Sequence, residues 1–259
     1  MEREEMGHLG GFKMKSIRPT RVYSYRLSVS RAGILTSIGI DFEQYAVGLN
    51  LSTIPEAAQF VARERELTEM YQLLYGHNNR STVVLHGLGG IRKTQLAVEY
   101  SKRHKEKYTA IFWLDASNED SLRLSFQGIT QQILKHHSST SVLLSVDLEG
   151  EIDQVVNAVK AWLDLPENTH WLLIYDNYDN PKTPNNSDPL AVDVRQYVPE
   201  ADQGSIIITT RSASVTQGQR LHIQKLPSVD EGLKILSNMS GRKNIENGMS
   251  LGVKRAEPS

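Results

Sequence analysis

The chain has 259 residues, 39% of them hydrophobic and 23% charged, and a formal net charge of −1 at neutral pH. That is enough for one α/β domain plus a smaller segment, and the balanced charge gives no global pull toward nucleic acid or an anionic membrane, so neither is expected as a partner. The lack of cysteine excludes disulfides, thiolate nucleophiles and cysteine-ligated metal centres; with no apolar run long enough to cross a bilayer and an acidic start at Met1-Glu2-Arg3-Glu4-Glu5, a cytoplasmic protein is expected.

Residues 1–54 show no sustained periodicity and read as an N-terminal arm without an assigned role, in which Gly33 to Ile40 fits a short strand or a hairpin. From residue 55 onward the pattern changes. Leu67, Met70 and Leu74 share one face at helical spacing, and the apolar run Thr82-Val83-Val84-Leu85 reads as a buried strand. Directly after it comes His86-Gly87-Leu88-Gly89-Gly90-Ile91-Arg92-Lys93-Thr94, with Gln95 to Tyr100 opening a helix.

Strand, glycine-rich turn and helix in that order is the context of a phosphate-binding loop, because polyphosphate needs backbone N–H donors at close range and a helix N-terminus behind them. The pattern G-x-x-x-x-G-K-[ST] is met at Gly87, Lys93 and Thr94, but Arg92 stands where the second glycine belongs. A long side chain there either crowds the turn or adds a cation for phosphate. Lys93 is placed to pair with the β- and γ-phosphates and Thr94 to put its hydroxyl on Mg2+. Gly87, Leu88, Gly89, Gly90, Ile91, Arg92, Lys93, Thr94 and Gln95 are therefore candidate nucleotide-binding residues. The competing reading is a turn between strand and helix that binds nothing; a dinucleotide fingerprint fits less well, since it would end on Arg92.

Lys102, Arg103, Lys105 and Lys107 close the following helix, where cations complement the macrodipole. A strand over Ala110–Leu114 comes next, then a capping box at Ser117-Asn118-Glu119-Asp120 and a helix with Leu122, Phe126, Ile129 and Ile133 inward. His136 and His137 end it; adjacent positions diverge on a helix, so a metal pair is not expected. A further helix runs from about Glu151 to Leu163.

The strand Trp171–Tyr175 ends in Asp176, a carboxylate at the C-terminal end of a buried strand, placed to hold Mg2+ through water. Asp176 also reads, without any ligand, as an ordinary strand terminator. Asn177 follows where a second acid would orient an attacking water, and an amide cannot take that proton, so hydrolysis is expected to be slow or absent. Asp179 lies two residues further on. The strand Ser205–Arg211 delivers Arg211 to the same edge, either to report a γ-phosphate or as a surface arginine; Asp176 and Arg211 are the candidates for any catalytic role. A short strand at Leu221–Ile223, a capped helix from Ser228 to Met239 and a polar tail over residues 241–259 complete the pattern.

Taken together, these motifs resemble the NB-ARC family, the nucleotide-binding module of STAND-class signalling NTPases, and its fungal NLR-like members in particular. The resemblance spans residues 55–240. Phe60-Val61-Ala62-Arg63-Glu64 is similar to the family's opening motif, whose backbone lies by the adenine, which implies Arg63 as a nucleotide-binding residue; Gly87–Thr94 to its phosphate loop; Leu172–Asp176 to its metal-binding strand; and Gly204–Arg211 to its sensor strand. The resemblance implies an α/β P-loop NTPase with a three-layer arrangement and a mainly parallel five-stranded sheet. It also implies ADP or ATP as ligand with Mg2+, and a signalling switch that exchanges one nucleotide for the other and then self-associates or engages protein partners. The chain ends before the family's helical and winged-helix segments, implying a truncated member. The alternative function is a degenerate scaffold that keeps the fold, binds no nucleotide and acts through protein contacts. An ordinary phosphotransferase lacks an acceptor-substrate motif.

Overall fold

The computed structural model describes residues 25–29, 35–39, 44–51, 54, 60, 63–77, 79–138, 140–144, 147 and 151–225. Val61 and Ala62 of the opening motif, the helix expected from Ser228 to Met239 and the polar tail lie outside them. The chain divides into two units, Met1–Asp41 and Phe42–Ser259. In the first, β1 (Tyr25–Val29) and β2 (Leu35–Gly39) pair antiparallel, Tyr25 opposite Gly39 and Val29 opposite Leu35. The second strand falls within the stretch expected to be a strand or hairpin; its partner, Tyr25-Arg26-Leu27-Ser28-Val29, alternates apolar and polar residues but was not expected as a strand.

The second unit runs α1 (Glu64–Leu74), β3 (Ser81–His86), α2 (Lys93–His104), β4 (Ala110–Asp115), α3 (Glu119–His136), α4 (Ser141–Leu144), α5 (Ile152–Leu163), β5 (Trp171–Asp176), β6 (Ser205–Thr210) and β7 (Gln219–His222). Five strands form one parallel sheet in the order β4-β5-β6-β3-β7. Alternate residues of each strand face opposite sides. Phe112, Leu114, Leu173, Tyr175, Ile206 and Ile208 pack on one side with Phe126 and Ile133 of α3 and Val159 and Trp162 of α5. Ile111, Leu172, Ile174, Ile207, Val83 and Leu85 pack on the other with Met70 and Leu74 of α1 and Leu96 and Tyr100 of α2. Helices thus cover both faces and the sheet is the middle of three layers. This explains why β5 is an unbroken apolar run, buried at all six positions, rather than an alternating one.

The helix ends follow from local chemistry. The N-cap of α3 is Asn118, whose side chain accepts the Ser121 N–H at 2.8 Å, one residue later than the box read from sequence. Ser117 instead gives its N–H to the Asp115 carboxylate at 3.1 Å. The two helices on the phosphate-loop side are tied by Arg103, which meets Glu99 at 2.6 Å and both carboxylate oxygens of Glu64 at 2.6 and 2.9 Å. Among the described residues, no helix is long and apolar enough to cross a membrane.

Candidate functional site

β3, between β6 and β7 in the sheet, ends at His86, and the chain turns through Gly87 to Arg92 before α2 begins at Lys93. The start of that turn is fixed from both sides. The Gly87 N–H reaches Thr210 O of β6 at 3.3 Å, and Ile223 N reaches His86 O at 2.9 Å. A Cβ on Gly87, whose φ is 152°, would stand 2.4 Å from Ile223 O, so only glycine fits between the two strands that flank the loop. Leu88, Gly89 and Gly90 are exposed, Ile91 is buried, and Arg92, Lys93, Thr94 and Gln95 are half-buried.

Arg92 answers the question its position raised. Its backbone is left-handed, φ 69° and ψ 36°, and it immediately precedes α2. The turn keeps the shape a glycine would give it, with arginine bearing the backbone strain. No side chain caps α2 and its first turn holds no acidic residue, whereas α1 begins with Glu64 and Glu66 and α3 with Glu119 and Asp120. The first amides of any helix have no partner inside it, so this helix presents a positive end to which its own first turn supplies no anion.

The Lys93 Nζ donates to Gly87 O at 2.9 Å and Leu88 O at 3.0 Å, folding across the loop it follows. Burial pushes its ammonium below the usual lysine range; the Asp179 and Asp176 carboxylates oppose that and the Arg211 charge adds to it. Thr94 Oγ1 donates to Asp176 Oδ1 at 2.9 Å, joining the first turn of α2 to the end of β5, 82 residues away in sequence. The same carboxylate oxygen accepts the Thr209 hydroxyl, and Thr209 Oγ1 in turn accepts the Asn177 N–H at 3.1 Å. Burial raises the Asp176 pKa; the bonds from Thr209, Thr94 and the Asn177 N–H lower it, and the neighbouring Asp115 carboxylate raises it further.

Asp115 ends β4 in register with Asp176 on β5, so two carboxylates share one edge. Sequence reading passed over Asp115 because it takes the last strand position, next to a helix cap. Thr209 was read only as the polar end of a strand. Two threonines at fully covered positions, Thr209 and Thr210, are the signal that was available, since buried hydroxyls at a strand end require partners.

Asn177 is left-handed, φ 62°, a conformation asparagine tolerates. After it the chain stays beside β6: Tyr178 N reaches Thr209 O at 2.9 Å and Thr210 Oγ1 donates to Tyr178 O. Arg211 is thereby placed across from Asp179, to which it gives its N–H at 2.6 Å and its Nε–H at 2.5 Å. Its side chain also lies along the loop, with Cδ 3.5 Å from where a Cβ on Gly89 would stand. Arg211 and the phosphate loop therefore meet.

Arg63 is buried and left-handed, φ 76°, just before α1. Its guanidinium binds Ile91 O at 3.1 Å, Gln224 O at 2.9 Å and Glu66 at 2.9 Å. The side chain braces the phosphate loop against the segment leaving β7. His137 at the end of α3 meets Ala46 O through Nε2 at 3.0 Å.

A phosphate loop at the C-terminal edge of a parallel sheet, covered by helices on both faces, defines the second unit as a P-loop NTPase fold. The particular resemblance is to NLR-like proteins. The chain is 28% identical over 166 residues, 60% of its length, to a "Nucleotide-binding leucine-rich repeat (NLR)-like protein" of Hyaloscypha variabilis, of which the match spans 16%. No protein-family model matches the chain. Among solved structures it overlaps Cdc6p from Pyrobaculum aerophilum (14% identity, TM-score 0.46, covering 76% of this chain and 54% of that one). It also overlaps the Aeropyrum pernix ORC2 protein, solved as ADPNP–ADP complexes (16% identity, TM-score 0.41, 71% and 54%), and Drosophila ORC bound to DNA (16%, 0.48, 74% and 50%). The chain thus spans about half the length of these solved chains and a smaller share of the NLR-like relative.

Proposed function

We propose that residues 55–240 form an adenine-nucleotide-binding module of NB-ARC type, which holds ADP or ATP with Mg2+ in a signalling switch and hydrolyses slowly or not at all. One observation carries this reading: the hydroxyl that opens α2 and the carboxylate that closes β5 are brought to 2.9 Å of each other beside a helix end without acidic residues. Thr94 and Asp176 would supply hard oxygen donors for Mg2+, the hydroxyl directly and the carboxylate through water. Bound there, Mg2+ would neutralise phosphate charge. The loop amides and Lys93 receive the phosphates, which requires Lys93 to exchange the Gly87 and Leu88 carbonyls for phosphate oxygens. Arg211 reads the outermost phosphate from the other wall.

Slow turnover follows from Asn177, whose amide gives no general base beside Asp176. A switch needs no turnover: a ligand that contacts the loop, β5 and β6 together shifts an equilibrium by its differential contacts. Self-association or a protein partner as the output, and the cytoplasm as the compartment, belong to the same reading.

The second reading, a scaffold that binds no nucleotide, draws on Lys93, whose ammonium is already satisfied by its own loop. Thermal unfolding separates the two. Millimolar ADP with Mg2+ is expected to raise the midpoint of the full chain by several degrees, through selective binding to the folded state, and Lys93→Ala and Asp176→Asn are expected to reduce the rise. An unchanged midpoint in a folded chain contradicts nucleotide binding.

A further inference from the structure

The segment after β5 carries a carboxylate that neither phosphate contact nor metal ligation requires. Asp179 holds Arg211 through two bonds, one to its backbone N–H and one to its side chain, while that side chain rests against Gly89 in the middle of the phosphate loop. It is also the largest favourable charge acting on Lys93, ahead of Asp176. One carboxylate therefore serves both cations assigned to the outermost phosphate. The pair does little for the fold: the Arg211 side chain is 64% exposed, and such ion pairs add little stability. Carboxylate and phosphate oxygens compete for the same guanidinium and ammonium donors.

We propose that Asp179 stands in for the γ-phosphate, satisfying Arg211 while a diphosphate is bound, so that ATP must displace it and the site is biased toward ADP. The inference rests on the nucleotide reading above and names the residue that sets its preference. Asp179 is a positioning and specificity residue: it acts on phosphate through the two cations and through its own charge. A diphosphate leaves Arg211 on the carboxylate and Lys93 beside its charge. A triphosphate must bring its outermost group between them, against a negative charge a few ångströms away, in a half-exposed site where such repulsion is reduced but not abolished by water.

Asp179→Asn tests this, because the amide keeps an acceptor for the Arg211 N–H and removes the charge. Titration of the full chain and the variant with ADP–Mg2+ and ATP–Mg2+ gives four dissociation constants. The variant is expected to bind ATP about tenfold tighter, with ADP affinity unchanged within about twofold, since one screened unit charge is worth roughly that much at this range. In an Arg211→Ala background the gain should shrink, because the donor that Asp179 and the phosphate share is gone; an undiminished gain overturns the shared-donor argument. ADP and ATP affinities that move together, or an unaltered ratio, overturn the proposal while leaving nucleotide binding intact. Failure of wild type and variant alike to bind either nucleotide removes the binding reading and this proposal with it; ATP binding gained only by the variant supports both.

Discussion

Arg92 shows what a single position can and cannot disclose. The motif marks it as the departure, and the backbone shows the cost: an arginine at φ 69° where glycine is free to go. Left-handed geometry disfavours residues with a Cβ by about 1–2 kcal/mol, partly offset by the extra chain entropy glycine loses on folding. Arg92→Gly is therefore expected to stabilise the chain by about 1 kcal/mol, read as a higher urea midpoint with unchanged slope. A lower midpoint would mean that the arginine side chain contributes more than its backbone costs. Arg92 was legible as an anomaly because the pattern fixes that place. Asp179 was not, because its partner Arg211 is 32 residues away and only the pairing of the chain after β5 with β6 brings them together.

Elements were read well where one physical signal dominated. The apolar runs of β3, β4 and β5 and the inward faces of α1 and α3 match the observed buried residues. Boundaries moved where two side chains competed for one role, as at the start of α3. Both Ser117 and Asn118 can cap; Asp115, at the end of β4, takes the Ser117 N–H and leaves Asn118 to cap Ser121. Asn118→Ala should therefore cost about 1 kcal/mol, and Ser117→Ala much less, in matched denaturation curves. Equal losses would return the cap to Ser117. The hairpin strand β1 was missed although Tyr25–Val29 alternates apolar and polar residues, because the run is only five residues long and lies in a stretch that mixes basic residues with Ser and Tyr.

At the scale of the molecule, the expectation of a parallel five-stranded sheet between helical layers holds, and the order β4-β5-β6-β3-β7 was beyond the sequence. Order depends on which edges pair, and the apolar strands β3, β5 and β6 are too alike to specify it. Yet the order makes the site, since β6 stands between the phosphate-loop strand and the Asp176 strand and lends Thr209 to one and Arg211 to the other. The packed layers also set the acid limit. Burial lowers the pKa of His86, His104 and His170, helped at His86 by Arg220, His222 and Lys93 and at His104 by Arg103 and Lys107. The unfolded chain takes up these protons near pH 6.5, before the folded one does, so their contribution is complete above about 6.5 and is lost as pH falls below it. The thermal midpoint is expected to be lower at pH 5.5 than at 7.5; a midpoint independent of pH over that range contradicts the assignment.

Calorimetric titration of the full chain with ADP and Mg2+, beside the Lys93→Ala variant, tests nucleotide binding most directly. Saturable one-site binding at micromolar or tighter affinity, lost in the variant, is the predicted result. A folded chain that takes up neither ADP nor ATP would contradict it and leave the phosphate loop as a turn between strand and helix.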